Sequence, residues 1–389
     1  MEKFNLFNDL GFVKTGVEEY QGEKNYFSTG SIKGDENKPE GKYKFKNKPS
    51  RANRLVEEGD ILQARMQNTQ KAIIIDKNLS GSLFSTGFFQ LRPPKDLICT
   101  RYIYYYLQTK WFNNLKDGLC SGATQKSIND TKLKEINFFL PSYSEQKIIA
   151  DKLDKVFVGI NDAIRMNEAS LANLDNLFSN SVEAEIEKLK ENFPTGYLND
   201  VVDGVQYGTS FKCKKNGKYP VLRMGNIQDG DFDFDDLVYL DDESESKKYR
   251  LNQNDVLFNR TNSPLHVGKS AMFKSDIDAC FAGYLIRINY KKSKVNPEFL
   301  SYYLNSPSAR NYGYSVMSSS VNQANINGEK LKKYPFVLAN INEQEKISLK
   351  LRKIKEKVIE AKKIKEKKQR KLISLKSAIL AKELKCEAL

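Results

Sequence analysis

Histidine is almost absent from this chain: among 389 residues, only His266 carries an imidazole. No Ser-His-Asp arrangement can be built around a choice of histidines, and no metal site with two imidazole ligands exists. Cysteine is sparse and scattered. Cys99, Cys120, Cys213, Cys280 and Cys386 form an odd set with no C-x-x-C pair, which fits reduced thiols in a cytoplasm and no zinc site. There is no G-x-x-x-x-G-K-[ST] phosphate loop and no G-x-G-x-x-G between a strand and a helix. The Asn/Asp-Pro-Pro-aromatic tetrapeptide of amino-methyltransferases is missing too, since Asn296-Pro297-Glu298-Phe299 has glutamate in third place. No apolar run approaches the roughly 20 residues of a membrane span. The opening Met-Glu-Lys-Phe-Asn-Leu has no apolar signal core, so a cytoplasmic location away from membranes is expected. His266, in Asn-Ser-Pro-Leu-His-Val-Gly-Lys, reads as a loop residue, and the carboxylates of 229–236 read as an exposed acidic turn. These gaps argue against a stand-alone enzyme and leave a binding protein.

What the chain has in excess is positive charge, +14 at neutral pH. That sign suits a polyanion, because Lys and Arg facing phosphates release counterions. The distribution is uneven. Residues 144–191 hold six Lys/Arg against ten Asp/Glu, whereas 342–389 hold sixteen against seven. Forty per cent hydrophobic and eleven per cent aromatic content is enough for folded domains with real cores.

The chain also repeats itself. Residues 124–153, TQKSINDTKLKEINFFLPSYSEQKIIADKL, return at an offset of 198 as NQANINGEKLKKYPFVLANINEQEKISLKL. Gln125 falls on Gln323, Asn129 on Asn327, and Glu145-Gln146 on Glu343-Gln344. An upstream echo at an offset of 195 matches Gly59-Asp60-Ile61-Leu62 and Arg65 to Asn254-Asp255-Val256-Leu257 and Arg260. The spacing is far too long for a solenoid. It predicts two mixed α/β domains with pseudo-two-fold symmetry, at 1–143 and 194–341, each followed by a spacer helix, at 144–193 and 342–389. Strand-like alternation marks 71–76, 87–92, 221–224 and 284–289, and short helices are expected at 100–113 and 297–305.

The long segments carry heptad seams. Ile149, Leu153, Val156 and Ile160 step by four and three, continuing to Leu174 and Leu177. Ile347, Leu351, Ile354, Val358, Leu372 and Leu375 repeat the pattern. Ser142 before Glu145 and Asn342 before Glu345 are the expected caps. At 1.5 Å per residue each helix is roughly 70 Å long. Opposite net charges favour antiparallel pairing of the two, and polar seam positions at Asn167, Ser170, Lys365 and Lys368 suit register selection.

Between strands and helices lie loops whose residue types suit duplex DNA. Arg65, Gln67, Asn68 and Lys71 occupy one; Arg260, Thr261, Asn262, Ser263 and Lys269 occupy its repeat. Arginine pairs bidentately with guanine, Asn or Gln with adenine, and Lys or Ser/Thr with phosphates. Gln125, Lys126 and Gln323 are further candidates, as are Arg223 and the basic run with Lys212 and Lys214. A second basic cluster runs from Lys42 through Lys48 to Arg51 and Arg54, while Asn129 and Asn327 read as helix caps.

With these pieces in place the chain resembles the specificity (S) subunit of type I restriction–modification systems. The resemblance rests on SGATQKSIN and PSYSEQKIIADKLD within 121–154, DVLFNRTNSP…VGK within 255–269, and YGTS…YPVLRMGNI within 207–227. Asn254 and Ala339-Asn340 depart from the family pattern, which has glycine and a Pro-containing entry there. The likeness implies two target recognition domains, each reading half of a split DNA site, held apart by an antiparallel coiled coil. It implies a non-catalytic subunit of its own, docked to two methyltransferase (M) subunits and to restriction (R) subunits. Those partners would bring S-adenosylmethionine, ATP and Mg; this chain would bind no cofactor or metal. Reading of half-sites one helical turn apart, about 34–36 Å, would follow. A coiled-coil interaction scaffold with a basic surface, and the S subunit of a two-component type II-like system, are the alternatives at this point.

Overall fold

A computed structural model describes residues 2–33, 37–320 and 323–384; Asn322 of the repeat, Cys386 and the expected helix end at 385–389 lie outside the described residues. The chain divides into two compact units, residues 1–168 with 367–389, and residues 169–366. Each unit therefore takes one end of each long helix.

The first unit is built on a strand buried on both faces. Ile61–Ala64 is inaccessible along its whole length, with Ile61 facing one apolar core and Leu62 and Ala64 the other. It sits in a four-stranded antiparallel sheet ordered Phe12–Val13, Phe88–Leu91, Ile61–Ala64, Ala72–Ile74. A second sheet runs Gly41–Tyr43, Lys24–Phe27, Leu83–Ser85, Ala52–Leu55, with one parallel pair that sets Tyr26 against Leu83. Helices α1 (Thr100–Leu107), α2 (Lys110–Gly118) and α3 (Asp130–Leu133), and the start of α4 (Tyr143–Asn192), cover the first sheet through Tyr102, Tyr106, Phe112 and Leu153.

The second unit repeats that plan. Its main sheet runs Val202–Tyr207, Leu285–Tyr290, Val256–Asn259, Ser270–Met272, and its smaller sheet again contains one parallel pair, Val221 against Cys280. Val256 and Phe258 face the helical core while Leu257 faces the other side. After the short α5 (Glu243–Lys248) come α6 (Pro297–Leu304), α7 (Pro307–Val316), α8 (Gly328–Lys332) and α9 (Ile341–Leu384). The duplication seen in the sequence is thus a duplication of a mixed α/β topology.

Several local expectations need correction. The helix expected over 100–113 is two helices, because Thr109 stops the first and caps the second, accepting from Phe112 N at 3.1 Å. The strand expected at 221–224 is Tyr219–Leu222, since Met224–Asn226 turns back into a single 3₁₀ turn. Helix α4 has the expected cap, with Glu145 N on Ser142 Oγ and Ser142 N on Glu145 Oε2. Helix α9 is capped instead by Asn340, whose Oδ1 accepts from Glu343 N at 3.0 Å. Asn340 is the repeat partner of Ser142. The same pairing extends to Asn254, which holds a left-handed φ of 73° where Gly59 holds 91°; asparagine is the side chain that tolerates this best.

The helices pair antiparallel inside each unit. In the first, Lys152 meets Glu383 at 2.7 Å and Asn167 meets Gln369 at 2.9 Å. In the second, Glu185 meets Lys350 at 2.8 Å and Asp175 pairs with Lys362. Three of the twelve expected seam positions are displaced by one residue. Leu153, Ile160, Ile347, Leu351 and Val358 are buried, and Ile149, Leu174, Ile354 and Leu372 half-buried. Val156, Leu177 and Leu375 are 38%, 52% and 48% exposed, and their neighbours Phe157, Phe178 and Lys376 turn inward. The displaced frame breaks the strict alternation of steps, since Phe157, Phe178 and Lys376 each lie four residues after Leu153, Leu174 and Leu372. It wins because the two Phe rings also pack on their own domains, against Tyr105 and Tyr302.

One pair of side chains ties each helix start to its domain. Gln146 Oε1 accepts from Cys99 N at 2.9 Å while its Nε2 donates to Pro141 O at 2.9 Å. Gln344 does the same toward Asn296 N at 2.9 Å and Ala339 O at 2.8 Å. Both are almost fully buried. No helix of the described residues is long and apolar enough to cross a membrane.

Candidate nucleic-acid interface

In the first unit the strand Ile61–Ala64 runs out into a turn at 65–71. Arg65 does not leave with it. Its guanidinium donates to Phe88 O and Ile128 O, both at 3.1 Å, and pairs with Asp130 at 2.6 Å. It therefore ties the turn to the strand beside it and to the start of α3. Gln67 N donates to Lys126 O at 3.0 Å, and Met66 and Ser127 form a bridge. The turn and the segment 121–127 thus lie side by side. Asn68, Gln70, Gln125 and Lys126 are exposed along them. Lys71 bends back to Thr29 O at 2.7 Å and joins a third segment to the group.

Arg54, grouped by sequence with the lysines of 42–48, is buried instead. It donates to Val13 O at 3.1 Å and to Thr15 Oγ1 at 2.7 Å. Burial, with Arg65 close by, pulls its pKa down to about 10. It belongs to the interior and not to a basic surface, because the alternating strand Ala52–Leu55 turns it inward beside Ala52.

In the second unit the equivalent turn is a better-formed concavity. Thr261–Asn262 pairs with Gln323–Asn325, which pairs in turn with Ser318–Ser320. Thr261 is buried and its hydroxyl accepts from Asn325 Nδ2 at 2.7 Å; Asn262 Oδ1 accepts from Ser263 N at 2.8 Å. Gln323 is exposed on the paired strand. Arg260 turns inward, donating to Gly283 O at 3.3 Å with its guanidinium 5.0 Å from the Tyr207 ring centroid. It is placed as Arg65 is, tying turn to sheet.

Arg223 and, from a separate stretch of sequence, Asn262 and Lys269 converge on one cleft of ≈ 500 Å³. The cleft also takes in Met224, Gln228, His266 and Tyr284. Arg223 donates to Asp236 at 2.8 Å, a carboxylate that is almost wholly solvated, so the guanidinium can exchange partners at little cost. Lys212 is exposed, and Lys214 pairs with Asp241 at 3.1 Å near the rim of the smaller sheet. Sequence reasoning set His266 aside as a loop residue. It is one, exposed, and its loop is a wall of the cleft. Tyr284, half exposed, and Met224 were missed because no spacing rule marks a lone aromatic or thioether as a base contact.

Asn129 and Asn327 are caps, as their position before each short helix predicted: they accept from Lys132 N and Lys330 N, each at 2.9 Å. Among the described residues no group of three or more His, Cys, Asp or Glu side chains could hold a metal. The turns carry amide, guanidinium, ammonium and hydroxyl groups, the donor set that reads base edges and phosphates.

Comparison with known proteins gives a consistent result. The type I restriction modification DNA specificity domain matches twice, at residues 10–169 and 191–369. The type I restriction enzyme EcoKI specificity subunit of Escherichia coli K12 is 27% identical over 274 residues, 66% of this chain and 58% of that protein. The StySPI specificity subunit of Salmonella potsdam is 27% identical over 278 residues, with 66% and 58% covered. The matches thus span less than two thirds of these relatives' own lengths. A chain from a structure concerned with complex assembly and conformational transition of the type I R-M system superposes with a TM-score of 0.69. It is 18% identical, with 98% of this chain and 97% of that one covered. At that identity the likeness is one of fold.

Proposed function

We propose that this chain, which belongs to the family of type I restriction–modification DNA specificity domains, selects the DNA sequence on which a multisubunit complex acts. In this reading each unit reads one block of a split site in duplex DNA. The chain does no chemistry itself. Two methyltransferase subunits, carrying S-adenosylmethionine, and restriction subunits using ATP and Mg dock on it in the cytoplasm.

The observation that carries the reading is the convergence of Arg223, Asn262 and Lys269 on one cleft of a domain whose topology occurs twice. Asn68, Gln125 and Lys126 are exposed on the adjoining turns of the first unit. A guanidinium, a carboxamide and an ammonium on protruding turns can pair with guanine, adenine and phosphate respectively. Arg65, Arg260 and Thr261, by contrast, spend their polar atoms inside the protein and act by shaping the turns. Gln67 and Lys71 are engaged in part, and Ser263, Gln323, Lys212 and Lys214 remain candidates at the margins. The buried parts of Ile149 to Leu174 and Ile347 to Leu372 hold the two long helices together inside each unit.

The test is a map of modified adenines in the genome of the host. Two short defined blocks separated by unspecified bases are expected, and exchanging residues 1–143 for those of a relative should rewrite one block only. A single uninterrupted motif, or a motif wholly rewritten by that exchange, contradicts the proposal.

A further inference from the structure

In each unit a cation on the helix that follows the tyrosine-rich one holds the turn assigned to reading, and we propose that Lys116 and Arg310 are positioning residues that set which bases each turn accepts. The inference rests on the DNA-reading function above.

In the first unit the grip comes from the last turn of α2. Lys116 has a fully buried side chain, and its Nζ donates to Met66 O at 2.8 Å and to Asp117 Oδ1 at 2.7 Å. Asp117 continues the hold: its Oδ1 accepts from Asn68 N at 3.1 Å, and its carbonyl accepts from Gln67 Nε2 at 3.3 Å. Three consecutive residues of the turn are thus fixed, including Asn68 in a left-handed conformation with φ 59°.

In the second unit the grip comes from the first turns of α7. Arg310 donates to Val267 O and, at 2.8 Å, to Leu265 O. The carbonyl between them, His266 O, accepts from Asn259 Nδ2 at 3.2 Å. All three carbonyls are therefore engaged within the protein. The guanidinium stands 5.4 Å from the Tyr314 ring centroid, which fixes its plane. Gly268 closes the turn with φ 87°, and a Cβ there would come within 2.8 Å of Arg310 Nη1. A side chain here would be strained by that φ and would push the tip of the guanidinium aside.

Helices α2 and α7 hold the same place in the repeated order, each following the tyrosine-rich helix α1 or α6. The gripping residues do not align, however: at the offset of 198, Arg310 falls on Phe112 and Lys116 on Tyr314. The same arrangement has been reached from two different positions. A buried ammonium is costly unless its donors are used, and a charged donor on a carbonyl makes a shorter, stronger bond than a neutral one. Its effect here is to hold a protruding turn still. Bidentate pairing with a base edge tolerates little displacement, and a site loosened by about 1 Å loses its discrimination.

The experiment uses the full chain assembled with its methyltransferase partner. It measures competition binding to the mapped site and to every single-base variant of both blocks. Lys116→Met should reduce discrimination roughly tenfold in the block rewritten by exchanging residues 1–143, leaving the other block as in the wild type. Arg310→Gln should do the reverse. Arg310→Lys, which restores one donor and the charge, should fall between. If Lys116→Met does not assemble, Asp117→Asn weakens the same grip and should give the same one-sided pattern. Equal losses in both blocks, or unchanged discrimination in both, would overturn the inference while leaving the DNA-reading function intact. Absence of any split preference in the wild-type complex would overturn that function itself.

Discussion

Gln344 Oε1 accepts the backbone N–H of Asn296 at 2.9 Å, joining the first turn of α9 to the first turn of α6. Its amide also donates to Lys294 O and Ala339 O, both at 2.8 Å. Gln344→Ala strands a buried donor and two carbonyls, at a cost of about 2–3 kcal/mol. Calorimetry should show an earlier transition for the second unit. Gln146→Ala should do the same to the first unit, where Cys99 N and Pro141 O lose their partner.

Asp60 is fully buried and receives Arg92 at 2.7 Å, Gln90 Nε2 at 2.7 Å and Glu57 N at 2.8 Å. Removing it leaves Glu57 N without its acceptor and Gln90 Nε2 with Leu55 O alone, while Arg92, partly exposed, keeps Glu57. Asp60→Ala should therefore destabilise the first unit by about 2–3 kcal/mol in urea unfolding. Asp255, its repeat, meets Arg287 at 2.9 Å but is more exposed. The corresponding loss there should be smaller.

Lys376 sits where a seam leucine was expected, 5.1 Å from the Phe157 ring centroid and 3.2 Å from Asn161 Oδ1. Burial lowers its pKa below the usual lysine value. Between that lowered value and the unfolded one near 10.5, the unfolded chain binds more protons than the folded chain. Stability contributed by this site therefore rises with pH across that window and is lowest below it. Relative to Lys376→Met, the wild type should gain stability as denaturation is repeated at pH values rising toward 10.5. A difference that stays flat with pH contradicts this account.

On the exposed turns, base-reading and phosphate-holding residues should separate by salt. Lys126→Ala should weaken binding to all sequences alike and lower the slope of log affinity against log salt by about 1. Asn68→Ala or Gln125→Ala should leave that slope unchanged and relax preference at one position, by about 1–3 kcal/mol. Fluorescence anisotropy at several salt concentrations distinguishes the two.

Much of this architecture was legible because the chain states it twice. An offset that aligns Asn129 with Asn327 and Gln146 with Gln344 marks positions where the same backbone must be capped or tied. Both pairs have that role in the fold. What stayed hidden has physical reasons. A heptad rule cannot separate Val156 from Phe157 when both are apolar, because the deciding contact is with Tyr105 on another helix. It likewise cannot foresee that Lys376 lies inward and Leu375 outward. Polar loop residues look alike in a sequence, so nothing marks Arg65 and Arg260 as turned inward while Arg223 remains half exposed. Lys116 and Arg310 escaped because the repeat does not align them.

Leu380 and Leu384 are packed in the same core as Ala150, Leu153 and Ile160. The first lobe is thus finished by residues that lie more than 200 positions further along the chain. At 5–20 residues per second, a ribosome takes roughly ten to forty seconds to travel between those segments. During that interval the apolar side of the early lobe has no covering strand of its own chain. Until α9 emerges that face of the early lobe stays open, and a truncation that removes α9 is expected to destabilise both units rather than one.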